Sequence, residues 1–87
     1  MRSEYTRNLS RGQTLYKDQR FEEALGYFKK ALMLKPYSHV AWNEKGNALR
    51  KLGRQEEAMD CYERAIQLDK KRSYPFPYIG IADMYRG

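Results

Sequence analysis

Few residues in this chain could do chemistry by type and spacing: the acidic pairs Glu22-Glu23 and Glu56-Glu57, the single cysteine Cys61 and the single histidine His39. Adjacent carboxylates suggest general acid–base work, a cysteine beside a base suggests nucleophilic attack, and a histidine suggests proton transfer or metal ligation. Their surroundings argue otherwise. Each acidic pair opens a helical pattern, where negative charge complements the helix dipole. Cys61 has no base beside it and reads as a packing residue. His39 opens another helix, with no cysteine, histidine or paired acid near it in sequence, and reads as an exposed terminal residue. One cysteine and one histidine cannot make a zinc set of three or four N/S ligands. No glycine-rich phosphate loop is present. No enzyme, metal or cofactor is expected.

Composition narrows the class further. The 87 residues are 41% apolar and include 8 Tyr, 3 Phe and 1 Trp, too apolar and aromatic for a disordered chain. No apolar run approaches the ~20 residues of a bilayer span, so no membrane partner is expected. The first residues lack the apolar stretch of a signal peptide. With one cysteine no internal disulfide can form, and a reducing, cytoplasmic setting is the expectation. The length suits one modest core.

An internal repeat sets the architecture. Shifting the sequence by 34 residues aligns 5–38 with 39–72 and gives nine identities: Gly12/Gly46, Leu15/Leu49, Lys17/Lys51, Arg20/Arg54, Glu22/Glu56, Glu23/Glu57, Ala24/Ala58, Ala31/Ala65 and Leu34/Leu68. Roughly two would arise by chance from average residue usage. Leu25/Met59, Phe28/Tyr62 and Leu32/Ile66 keep their chemistry, and Cys61 answers to Tyr27. A partial third copy occupies 73–87, with Gly80, Ala82 and Gly87 matching Gly46, Ala48 and Gly53, and Phe76 in the place of Trp42.

Each copy predicts two helices, an A helix and a B helix. Apolar residues at Phe21, Ala24, Leu25, Phe28, Ala31 and Leu32 recur at helical spacing, and Pro36 forbids continuation. Gly53 suits a left-handed residue at a helix C-terminus, and Ser38 and Ser73 suit N-caps. The predicted helices span about 4–18, 21–34, 39–52, 55–68 and 75–86, in the order A1-B1-A2-B2-A3. No period-two alternation marks a strand, so the fold is all-α.

The pattern resembles the tetratricopeptide repeat, W-x2-L-G-x2-Y, then A-x3-F, then A, then P. Trp42, Lys45, Gly46, Leu49, Ala58, Tyr62 and Ala65 carry it in the second copy, and Asn8, Arg11, Gly12, Leu15, Ala24, Phe28, Ala31 and Pro36 in the first. The resemblance covers 5–87 as one domain: repeat 1 about 5–38, repeat 2 about 39–72 and partial repeat 3 about 73–87. Asn8 and Arg11 replace large apolar residues, as suits a terminal helix with one face in water. Lys45 can lay its aliphatic stem on the core. Lys70 replaces the closing proline. Gly12, Gly46 and Gly80 fall where the resemblance implies close A–B packing.

The resemblance implies an α-α superhelix of antiparallel helix pairs whose A helices line a concave groove that holds an extended peptide or a partner helix. The matching positions are Leu9, Gln13 and Tyr16, then Asn43, Glu44, Asn47, Arg50 and Lys51, then Tyr74, Tyr78, Ile81 and Tyr85. Asn43 and Asn47 lie four apart on one face, and their amides suit an extended backbone. Related chaperone-adaptor repeats clamp a C-terminal carboxylate with Lys and Arg. Here the corresponding positions, Leu9, Gln13, Glu44, Tyr74 and Tyr78, hold no cation, so no such clamp is expected. The expected function is a protein-interaction module or scaffold.

Net charge offers an alternative. The whole excess of +6 falls in residues 1–53, and Lys70-Lys71-Arg72 adds a local basic loop. A basic helical repeat can bind RNA. Interleaved acids on the B helices weigh against that reading.

The last helix is the least polar. Between Tyr74 and Tyr85 only Asp83 is charged, and Ile79, Ala82 and Met84 have no B3 partner in this sequence. Exposed clusters of that kind mark interfaces, so self-association through this helix is expected. The chain ends at Gly87, where an A helix turns into its B partner, which reads as an excised fragment or a deliberately short array.

Overall fold

The computed structural model describes residues 3–72, with side chains through residue 69. They form four helices: α1 (Glu4–Lys17), α2 (Phe21–Leu34), α3 (His39–Lys51) and α4 (Gln55–Arg72). The described residues contain no strand, and the fold is all-α. Helices α1 and α3 are the A type, α2 and α4 the B type. The expected fifth helix, about 75–86, lies outside the described residues.

Helix ends follow local chemistry. Ser3 and Ser38 cap α1 and α3: each hydroxyl oxygen accepts from a backbone N–H three residues on, at Thr6 and Ala41, both at 3.1 Å. Helix α2 stops at Leu34 because Lys35, the residue before Pro36, leaves the helical region at φ −135°, ψ 82°. One helix departs from expectation. The sequence places its end near 68 and Lys70–Arg72 in a loop, whereas α4 continues through Arg72. Lys70 stands where Pro36 ends α2, and lysine is compatible with helix.

The A-to-B turns are the same structure twice. In the first, the N–H of Gln19 donates to Tyr16 and that of Arg20 to Leu15. In the second, Gly53 donates to Arg50 and Arg54 to Leu49. This is the Schellman arrangement, with the left-handed residue at Gln19 (φ 65°) and Gly53 (φ 82°). Each turn leads straight into a clamp on the next helix. Arg20 Nε and Nη2 donate to Glu23 at 2.6 and 3.1 Å, and Arg54 Nε and Nη2 donate to Glu57, both at 3.0 Å. The bond from Arg54 holds the Glu57 carboxyl below its ordinary range. The repeated acids thus have a structural use at helix starts.

Packing is set by glycine against aromatic ring. A Cβ placed on Gly12 would lie 2.5 Å from Phe28 Cε1. One on Gly46 would lie 2.8 Å from Tyr62 Cε1 and 3.2 Å from the Ala58 carbonyl oxygen. The A and B helices can approach this closely only without a side chain there. Around these contacts Ala24, Leu25, Phe28, Ala48, Leu49, Ala58 and Cys61 are buried together. A second cluster, Ala31, Leu32 and Ala41, joins α2 to α3, with Trp42 packed on it. The Trp42 indole N–H donates to the Pro36 carbonyl at 2.8 Å.

Each helix packs on the next, and α1 also touches α3. The A helices therefore lie side by side and share one face, the inner face.

Two substitutions test this account. Gly46→Leu forces a branched side chain into the Tyr62 ring and the Ala58 backbone, and the expected destabilisation is about 3 kcal/mol. An unchanged melting temperature would place the close contact elsewhere. Gln19→Gly relieves a left-handed residue and is expected to stabilise by about 0.5–1 kcal/mol, after glycine's larger unfolded-state entropy is offset. A lower melting temperature for Gln19→Gly would contradict the strain.

Candidate functional site

The inner face begins with the contact between α1 and α3. Gln13 lies one helical turn past Leu9, and its Nε2 donates to Glu44 Oε2 at 2.7 Å, half-buried. This fixes the amide so that Gln13 Oε1, an acceptor, is left without a partner among the described residues. The opposite amide chemistry is set on α3. The Tyr62 hydroxyl reaches past Gly46 and donates to Asn47 Oδ1 at 2.6 Å. Asn47 therefore presents its Nδ2 donors. Arg50 Nε donates to the same hydroxyl at 3.2 Å, and this bond raises the guanidinium further above its ordinary range, with Tyr16 adding to the effect.

The predicted site residues divide by position. Gln13 and Tyr16 line one hollow of about 390 Å³, together with Ser10, Thr14, Lys17 and Glu44. Asn43 is exposed and lines a second of about 380 Å³ with His39, Val40, Glu44, Ala65, Ile66 and Asp69. Glu44 borders both. Asn47 and Arg50 are joined through Tyr62. Leu9 is half-buried and packs on both core clusters, so most of its surface supports α1 from within. Tyr16 is also half-buried, its ring edge-on to Phe21 at 5.1 Å. Tyr74, Tyr78, Ile81 and Tyr85, and the expected self-association residues Ile79, Ala82 and Met84, lie outside the described residues.

Two contributors escape the sequence reading of the site. Tyr62 enters the sequence reading only as the repeat partner of Phe28, yet its hydroxyl is the one atom that distinguishes it from Phe28 and it organises Asn47 and Arg50. The Phe28/Tyr62 difference was the available signal. Lys17 lines the hollow beside Tyr16, and its identity with Lys51 across the repeat was the signal there. His39 is not the exposed residue expected. It is half-buried, with Nε2 3.7 Å from Asp69 Oδ1. The equivalent contact one repeat earlier is Lys35 Nζ over the Tyr5 ring at 4.6 Å.

Among the described residues no group of three His, Cys, Asp or Glu could hold a metal ion, and no helix is long and apolar enough to cross a membrane. Cys61 is buried, and burial pushes its thiol above the ordinary range despite the nearby Lys45 ammonium. The folded protein should therefore alkylate with iodoacetamide at pH 8 at least about tenfold more slowly than the urea-unfolded chain, since the thiolate is the nucleophile. Equal rates would contradict the burial.

Comparison with known proteins agrees with the repeated helix pairs. Residues 39–72 match the tetratricopeptide repeat, and residues 8–38 match it again. An uncharacterised protein of Methanocaldococcus jannaschii is 49% identical over 49 residues, covering 56% of this chain and 57% of that protein. A peroxisomal targeting signal receptor of Candida albicans is 37% identical over 57 residues, 66% of this chain and 10% of the receptor. An Hsp70-Hsp90 organizing protein of Triticum aestivum is 28% identical over 78 residues, 90% of this chain and 13% of that protein. The chain thus spans little more than half of the first relative and about a tenth of the other two. The two matches lie end to end on the two helix pairs, and the chain belongs to the tetratricopeptide-repeat family.

Proposed function

We propose that this chain is a protein-interaction module that holds an extended peptide segment of a partner protein across the inner face of α1 and α3. The observation that carries this reading is the paired fixing of two amides. Gln13 is tied to Glu44 so that it offers an acceptor, and Asn47 is tied to Tyr62 so that it offers donors. An extended backbone displays N–H and C=O groups in alternation and can pair with both. Two hollows on either side of Glu44 give room for side chains. The names of two relatives, a receptor for a targeting signal and an organizing protein for Hsp70 and Hsp90, support a protein or peptide ligand.

Fixing the amides in the free protein lowers the ordering cost at binding. Tyr62 bears on Gly46 by its ring and on Asn47 by its hydroxyl, so the same residue sets helix spacing and amide orientation. The family's helix packing is thereby coupled to ligand geometry.

The test is selection of a randomised dodecapeptide library on the immobilised protein, followed by affinity measurements on the enriched peptides. Asn47→Ala should weaken them about fivefold, the value of one hydrogen bond of about 1 kcal/mol. Arg64→Ala, an exposed change on α4, should alter affinity less than about twofold. Equal effects, or no enrichment above an unrelated helical protein, would remove the assignment.

A further inference from the structure

The C-terminal ends of α1 and α3 carry three cations, Lys17, Arg50 and Lys51. None of them pairs with a carboxylate among the described residues, in contrast to Arg20 and Arg54, which are clamped by Glu23 and Glu57. Each lies near an aromatic residue. Tyr16, the neighbour of Lys17, stands edge-on to Phe21, and Lys51 Nζ lies 6.0 Å from the Phe21 centroid. Arg50 is tethered through Nε to the Tyr62 hydroxyl, which is itself anchored to Asn47.

The helix dipole accounts for the sign of these charges, since cations are favoured in a last turn. It does not account for the tether. A guanidinium held by one Nε bond has its remaining N–H donors pointed at solvent and has lost part of its rotamer freedom. That is the state that favours charge-assisted, bidentate capture of a carboxylate. Glu44, the carboxylate that borders the hollow of Lys17, is engaged by Gln13, which leaves the three cations free to meet acidic groups of a ligand.

We infer that the Arg50–Tyr62–Asn47 chain, with Lys17 and Lys51 beside it, is a subsite for a run of Asp or Glu side chains inside the bound peptide. This rests on the peptide-binding reading above. Three cations spread over the ends of two helices match several carboxylates, whereas a lone terminal carboxylate would satisfy one. The groove is then polar along its length, with Glu44 and the amides beside the main chain and the cations at the edge where the acidic run sits. This arrangement gives the peptide a direction.

The library selection provides the test, with dodecapeptides displayed so that their C-termini are blocked. Enriched peptides should carry clustered Asp or Glu at least about threefold above the starting library. A synthetic, C-amidated version of the best peptide should lose about tenfold in affinity on Arg50→Gln, as for a charge-assisted bond. Arg64→Gln, which removes equal charge from α4, should cost less than about twofold. Tyr62→Phe keeps the ring over Gly46 and removes the tether. It should weaken the acidic peptide at least about threefold more than it weakens its Gln-substituted version, whose smaller loss reflects the freed Asn47 amide. Enrichment of peptides without acidic residues would overturn this subsite and leave the groove reading standing, whereas no enrichment at all would remove both. Equal losses from Arg50→Gln and Arg64→Gln would reduce the effect to diffuse charge and overturn the subsite. A single-stranded oligouridylate that binds more tightly than the peptide, with the same Arg50 dependence, would replace the acidic peptide with RNA.

Discussion

The contact on which the rest of the structure depends is an aromatic ring laid directly on a helix backbone, Phe28 on Gly12 and Tyr62 on Gly46. Glycine in a helix interior costs about 1 kcal/mol relative to alanine. Here the cost is offset by ring burial and by an A–B approach that no other residue permits. The spacing it fixes lets the small residues Ala24, Ala48 and Ala58 close the core around Phe28 and Leu49. It also puts the Tyr62 hydroxyl within reach of the inner face. Shape and site chemistry therefore share one residue pair.

The two repeats show which features are scaffold and which are free to vary. Arg–Glu clamps, Schellman turns and glycine–ring contacts recur with the same geometry. Corresponding places within the two repeats hold different chemistry. Lys35 over Tyr5 becomes Asp69 against His39. The ring of Phe28 becomes the hydroxyl-bearing ring of Tyr62. The identities at Gly12/Gly46, Arg20/Arg54 and Glu23/Glu57 specify backbone geometry. Where the copies differ on the inner face, as at Gln13 and Asn47, the amide chemistry turned outward differs with them.

Local patterns made most of the fold legible in the sequence. Spacing of three and four placed α2 and its repeat α4, Pro36 and Gly53 placed two helix ends, and the 34-residue period extended the reading to α1 and α3 and put the glycines at close A–B packing. The misses have physical causes. Helix α4 runs past its expected end because a repeat boundary without proline carries no stop signal. Gln19 adopts the left-handed turn position without the glycine that would announce it. The site was legible only as a set of positions. Gln13 meets Glu44 across 31 residues of sequence, and Tyr62 meets Asn47 across 15. Which end of each amide faces outward depends on those tertiary partners. Leu9, placed in the groove by position, lies half-buried because it bridges both clusters.

The central claim is that the inner face of α1 and α3 is the binding surface. The most direct measurement is a two-dimensional amide and side-chain NH2 spectrum of the isotopically labelled protein, titrated with a library-selected peptide. The account predicts that the largest shifts fall on the side-chain amides of Gln13, Asn43 and Asn47 and on the backbone around Arg50, with α2 and the outer side of α4 nearly unmoved. Shifts concentrated on Lys29, Lys30 and Arg64, with the Asn47 amide unchanged at saturation, would contradict it.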